Sequence, residues 1–201
     1  GTLQDDVQAA VNGINRLLAQ RGLPTVDVAR HRRVFAFPVR DYYTALGFEL
    51  EKEDWHRLSH DFIEAFTQDA SRALFRGALP ALETLHARGV AMSILSASEQ
   101  TLLEAALAQH GIRRFFAEVR GLDNHGAASK LDLAKILFAS IGGPYDDVWI
   151  VGDTTHDKEV ADAAGCNCLL LAGGYQSRER LLACGCPVLD SVAEVPAFFG
   201  V

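Results

Sequence analysis

The sequence predicts an α/β protein, a parallel-sheet core with a helical segment inserted near its start. Three observations carry this. From Gly77 onward, helix-type and strand-type patterns alternate, and strands alternating with helices of about 10–15 residues argue a parallel sheet. Before Phe75 the patterns are helical, with no clear alternation with strands. Finally, the apolar run Val148-Trp-Ile-Val151 ends abruptly in Gly152-Asp153, the pattern of a buried strand whose carboxyl end opens into a loop. In open α/β sheets that is where ligands bind.

In chain order, Val7, Val11, Ile14, Leu17 and Leu18 recur at helical spacing, and Gly22-Leu-Pro24 ends that pattern. The basic run Arg30-His-Arg-Arg33 leads into Val34-Phe-Ala-Phe-Pro-Val39, and helical patterns resume over Asp41–Leu46 and Trp55–Ala70. Three helix and strand pairs follow: Pro80–Arg88 with Val90–Leu95, Glu99–His110 with Phe116–Val119, and Leu131–Ile141 with Val148–Val151. Cys168–Ala172 and Pro187–Leu189 are further strand candidates. No internal repeat or low-complexity tract interrupts the chain.

Two hundred and one residues, 49% hydrophobic and 22% charged, suit one large domain or a core with a smaller insert. A net charge of −7 and a pI near 5.4 argue against a nucleic-acid footprint, which is normally basic. No apolar run approaches the roughly 18 residues that span a bilayer, and the start has neither the basic end nor the apolar middle of a secretory signal. The expectation is a cytoplasmic protein without a membrane partner. The cysteines fall in two Cys-x-Cys pairs, Cys166/Cys168 and Cys184/Cys186. A four-thiolate zinc site needs wider spacing in its familiar forms. Buried reduced thiols are the favoured reading.

The loop after Val151 carries two carboxylates, Asp153 and Asp157. Hard oxygen donors suit Mg²⁺, which takes one or two carboxylates, several waters and a substrate phosphate. The plainer alternative is a strand-to-helix turn with Asp153 as N-cap. Ser96, after the strand Val90–Leu95, offers a hydroxyl to a phosphate, with the N–H groups of Ala97 and Ser98 beside it at a helix start. Its plainer alternative is a helix cap completed by Glu99 or Gln100. Lys130, before the helix Leu131–Ile141, is either a charge for an anionic site or a solvated surface lysine.

These residues, with Gly1-Thr2-Leu3, Leu95-Ser-Ala-Ser98, Ala163-Ala-Gly165 and Gly174-Tyr-Gln-Ser-Arg-Glu-Arg-Leu181, resemble the haloacid dehalogenase superfamily, in its phosphoglycolate-phosphatase-like branch. The chain matches the last three positions of that family's Asp-x-Asp-Gly-Thr-Leu motif. The family's nucleophilic Asp and acid/base Asp are accordingly expected just before Gly1, within a first core strand that precedes it. The resemblance implies a Rossmann-like core over residues 1–6 and 73–201 and an inserted helical cap over 7–72. It implies Ser96 and Lys130 as catalytic groups, Thr2, Ala97 and Ser98 as phosphate-binding groups, and Asp153 as direct Mg²⁺ ligand. Asp157 would hold a metal-bound water or pair with Lys130, and His156 would be a loop side chain without a catalytic role. Arg33, with Arg32, would clamp a second anionic group of the substrate. Phe35–Tyr43 would pack the cap or line its mouth. Where the family often has Asn this chain has Ala97, and where it commonly has Pro this chain has Leu131. The implied activity is magnesium-dependent hydrolysis of a small phosphorylated metabolite through an aspartyl-phosphate. A phosphomutase, a metal-independent dehalogenase and a non-catalytic binding protein on a decayed hydrolase fold are the rivals.

Overall fold

The computed structural model describes residues 1–122 and 130–201. Leu3 leads into β1 (Gln4–Asp5), and α1 (Val7–Gln20) begins at once. The helical periodicity of α1 buries Val7, Val11, Ile14, Leu17 and Leu18. Then come α2 (Val28–Val34), α3 (Val39–Ala45) and α4 (Trp55–Gln68), and the chain returns through β2 (Ala73–Leu74). The helix α2 falls where no helix is expected from periodicity. Asp27 starts it by accepting from Arg30 N at 2.6 Å, and its one buried residue is His31. These helices enclose their own core of Ile14, Leu17, Leu18, Tyr42, Tyr43, Leu46, Phe48 and Leu58. Gly13 makes the α1–α4 crossing close, since a Cβ there would lie 3.3 Å from Phe62.

The insert is entered and left through one small ribbon. β1 and β2 pair antiparallel, Gln4 opposite Leu74 and Asp5 opposite Ala73, and Phe75 N donates to Leu3 O at 2.9 Å.

The remaining chain alternates: α5 (Ala78–Ala87), β3 (Ile94–Glu99), α6 (Gln100–Gln109), β4 (Val119–Leu122), α7 (Lys130–Ile141), β5 (Trp149–Gly152), α8 (Thr155–Ala164), β6 (Asn167–Leu171), α9 (Arg178–Leu182), β7 (Val188–Leu189) and α10 (Val195–Phe198). Every pairing here is parallel: β3 with β4, and β5 with β6 with β7. Two expected strands are displaced. The ladder begins at Ile94 opposite Val119, so Val90–Ser93 precede it, and β3 runs on past Leu95 to Glu99 through a register shift. The two segments already meet upstream, Ala117 N donating to Met92 O at 2.9 Å, but regular pairing starts only at Ile94 and Val119. Val151, Leu169 and Leu171 pack with Ala78, Leu85 and Val192 in the core beneath this sheet.

Among the described residues, β3 pairs with β4 alone and β5 with β6 alone. Each therefore keeps one unpaired edge, and both strands line the same cavity of about 1310 Å³. No helix among the described residues is long and apolar enough to cross a membrane.

Candidate active site

The acid loop is built by the end of β5. Gly152 closes the strand, and a Cβ there would meet Asp157 Cγ at 2.1 Å. Gly174, after β6, sits as close to the other acid, its Cβ position 2.2 Å from Asp153 Oδ2. Glycine is required at both positions because a carboxylate fills the space where a side chain would begin. Gly1 approaches Asp153 in the same way, at 2.1 Å.

Both acids are buried, but their hydrogen bonding differs. Asp153 Oδ1 accepts from the Thr2 hydroxyl at 2.7 Å, and Oδ2 from Tyr175 N at 2.8 Å. Asp157 Oδ2 accepts from Asp153 N at 3.0 Å, Thr154 N at 2.9 Å and the Thr154 hydroxyl at 2.8 Å. Its Oδ1 is ion-paired with Lys130 Nζ. Each carboxylate oxygen has about two lone-pair directions, so Asp157 Oδ2 is saturated and its Oδ1 is taken by the Lys130 charge, while each oxygen of Asp153 has one protein donor and keeps a direction for a ligand. Burial opposes the charge of Asp157, but Lys130 and the Thr154 donors outweigh it and hold the carboxyl below its usual range. Helix α8 is capped by Thr154, whose N–H is held by Asp157 in a capping box. The expected alternative cap, Asp153, does not cap it.

Thr2, Ser96, Ala97, Ser98, Lys130, Asp153 and Asp157 all line the one cavity. Ser96 lies within β3 rather than after it, and its Oγ accepts from Ser98 N at 3.0 Å. Helix α6 starts further on, capped by Glu99, which accepts from Thr101 N and Leu102 N. So Ser96 is not a helix cap, and the Ala97 and Ser98 amides belong to a strand end. Thr2, expected to touch phosphate, holds Asp153 here. Lys130 opens α7; the preceding Ala128 and Ser129 lie outside the described residues. Arg33 is exposed and is not part of the cavity wall.

Its neighbour Arg32 turns to the core, donating to Gly174 O at 2.9 Å and to Gly173 O. A seam continues from there. Buried Gln176 accepts from Thr155 N at 2.7 Å and donates to Phe35 O at 3.0 Å. Ser177 N donates to Arg32 O at 3.1 Å, and Arg180 Nη1 donates to Phe35 O at 2.6 Å. His156, in the first turn of α8 rather than a loop, bonds Glu159 and stacks on Phe37 with centroids 4.9 Å apart.

Sequence reasoning assigned no role to His31, Tyr175 or Gln176. Tyr175 and Gln176 lie in the Gly-Gly-Tyr-Gln turn after β6, a visible signal, whereas His31 is hidden in a basic run. The thiols are free, and among the described residues no cysteine joins a three-ligand metal cluster.

Comparison with known proteins fits this arrangement. Over 184 residues the chain is 26% identical to the tyrosine-protein kinase PtkA of Mycobacterium tuberculosis, spanning 87% of this chain and 60% of that protein's length. The phosphoglycolate phosphatase of Rhodospirillum rubrum is 28% identical across 214 aligned positions, covering all of this chain and 88% of its own. A Clostridium acetobutylicum protein described as a predicted phosphatase superposes with a TM-score of 0.83 at 18% identity, covering 100% of this chain and 95% of its own. At that identity the likeness speaks for the fold, a Rossmann-like core with a helical insertion. The profile of haloacid dehalogenase-like hydrolases matches residues 1–171, and the chain belongs to that family.

Proposed function

We propose that this protein is a magnesium-dependent phosphatase of small phosphorylated metabolites, working through an aspartyl-phosphate in the cytoplasm. The observation that carries the reading is the contrast between the two acids. Asp153 has lone pairs to give at a cavity wall, while Asp157, its Oδ2 held by three donors, pairs through Oδ1 with Lys130 on the same cavity. Residues 1–6 and 73–201 are the core in this reading, and 7–72 the cap that completes the pocket and excludes water.

Asp153 fits a hard cation, and Mg²⁺ bound there would supply charge neutralisation at a phosphoryl oxygen. Lys130 neutralises further charge, and the Ser96 hydroxyl donates to a phosphoryl oxygen. The attacking carboxylate is expected on residues leading into Gly1. A strand lying between the unpaired edges of β3 and β5 would deliver it beside Asp153. Its oxygen bonds to phosphorus as the ester bond breaks, the second carboxylate of that motif protonates the leaving oxygen, and the same group then takes a proton from the water that cleaves the acyl phosphate.

The test uses protein carrying the whole first motif. Phosphate release from an aryl phosphate should require Mg²⁺. Asp153→Asn should lose both Mg²⁺ binding by calorimetry and turnover. Lys130→Ala should keep Mg²⁺ affinity within a few-fold and lose about a hundredfold in kcat, the scale of one missing electrostatic donor. Undiminished turnover in strong chelator would overturn the reading.

A further inference from the structure

All four cysteines of the chain gather in one cluster, and none of them lines the cavity of the acids. Cys168, Leu170, Ala161 and Leu181 are buried together, and Cys166, Cys184, Cys186 and Val188 pack against them. The sheet sets two of the thiols face to face. β6 and β7 run parallel with Leu170 opposite Val188 and Leu171 opposite Leu189, and Leu170 N donates to Pro187 O at 2.9 Å. Followed two residues upstream on both segments, that register puts Cys168 opposite Cys186. Side chains alternate along a strand, so the two thiols share the face of Leu170 and Val188. Neighbouring strands lie about 4.8 Å apart, inside the Cα separation of roughly 4.4–6.8 Å that a disulfide spans. The two thiols already stand within hydrogen-bonding reach of each other.

The pair is asymmetric. Cys168 is 5% exposed, and burial, with Cys186 beside it, pushes its thiol well up. Cys186 is only half-buried. Between it and Cys184, Gly185 takes a φ of 71°, a left-handed turn that leaves both flanking thiols on the cluster. The Lys158 ammonium, paired with Asp162, is close enough to Cys186 and Cys168 for both to favour its charge. A neighbouring cation favours thiolate over thiol, and of the two sulfurs Cys186 is the one that solvent reaches. Among the described residues no third metal-ligating side chain joins them, so the reaction left to the pair is with each other.

The geometry points to Cys168 and Cys186 as a redox modification site: a peroxide that reaches Cys186 converts the two thiols into one reversible disulfide, tying β7 to β6. The Cys186 thiolate attacks one oxygen of hydrogen peroxide, the O–O bond breaks, and the departing hydroxide takes up the proton that Cys186 gave, forming water. The Cys168 sulfur then attacks the sulfenic sulfur of Cys186, the S–O bond breaks, and the Cys168 proton leaves with the hydroxide as a second water. Each sulfur is oxidised by one electron, and the peroxide is reduced by two. β7 is two residues long and pairs with β6 alone among the described residues, so a covalent tie strengthens a pairing that two rungs hold. The site stands whether or not the acid loop cleaves phosphate esters.

The test treats reduced full-length protein with a small molar excess of hydrogen peroxide below its unfolding temperature, then alkylates it in denaturant. Cys166 and Cys184 should take the label, Cys168 and Cys186 should not, and digestion should yield one peptide pair joined between them. Tm should rise by about 6–12 °C, the effect of closing a loop of roughly this length, and dithiothreitol should reverse both changes. Cys186→Ser should abolish the protection from labelling and the rise in Tm, whereas Cys184→Ser should keep both. The peptide map of the unsubstituted protein carries the decision should a variant fail to fold. Four labelled thiols after peroxide, a disulfide that involves Cys166, Cys184 or a second copy, Cys186 oxidised without Cys168, or a joined pair that leaves Tm unmoved would each overturn the proposal.

Discussion

Asp157→Asn should unfold the protein under conditions that Asp153→Asn survives, although both remove one charge from one loop. An asparagine at 157 has one acceptor oxygen and one amide NH₂. Whichever way it turns, the NH₂ faces either the Lys130 ammonium or the donors Asp153 N–H and Thr154 N–H. Lys130 is left charged with 13% of its side chain exposed. Removing one partner of a buried pair costs about 3–5 kcal/mol, and in a domain of this size each kcal/mol lowers Tm by about 2–4 °C. The expected fall is therefore roughly 6–20 °C. At position 153 the amide satisfies both neighbours, its oxygen taking Tyr175 N–H and its NH₂ donating to the Thr2 oxygen, so Tm should stay within about 4 °C. The sign with pH follows from the depressed Asp157 carboxyl. Its contribution is complete above the unfolded value near 4 and is lost as pH falls through the lower folded value. The gap between unsubstituted protein and Asp157→Asn should thus narrow on acidification below about pH 4. Calorimetric unfolding without metal measures both. A Tm for Asp157→Asn within about 2 °C of the unsubstituted protein at pH 7 would refute the reasoning.

Three further outcomes are expected. Gly174→Ala places a Cβ on Asp153 Oδ2, so Mg²⁺ affinity should fall by at least about tenfold, near 1.4 kcal/mol, on titration calorimetry. Gln176→Ala leaves the Thr155 N–H without its acceptor and should cost about 1–3 kcal/mol in urea unfolding. Arg33→Ala, at an exposed position off the cavity wall, should leave kcat/KM for every ester within about twofold, as surface changes of under roughly 0.5 kcal/mol do.

What could be read in advance was local. The spacing of Val7, Val11, Ile14 and Leu18 reports α1 because a face one helical turn wide must be apolar to be buried. Asp153 and Asp157 stood out because they follow an apolar run that ends abruptly, whereas Ser96 and Lys130 took their roles from the resemblance to the family's motifs. The pairs that define the rest are distant in sequence. Helix α2 buries only His31 and so has no apolar stripe to announce it. The strands β1 and β2 are two residues each, too short for any alternation, and exist because they meet. Gln176 and Phe35, 141 positions apart, become partners when the insert docks on the turn after β6. Arg32 and Arg33 are adjacent and chemically alike, and one backbone turn sends the first to the core carbonyls and the second to water.

The ribbon of β1 and β2 makes the insert a side branch rather than a stretch of the main path. Entrance and exit occupy neighbouring rungs, Gln4 opposite Leu74 and Asp5 opposite Ala73, so beyond the seam of Arg32 and Phe35 on the turn after β6 the scaffold senses only that the two ends meet. Closing such a loop grows costlier by only about 0.6 kcal/mol for each doubling of its length. Replacing residues 7–72 with a short turn, or with an unrelated module of matching end spacing, should therefore leave a foldable scaffold. The insert can then be exchanged without redesigning the scaffold that holds Asp153 and Asp157.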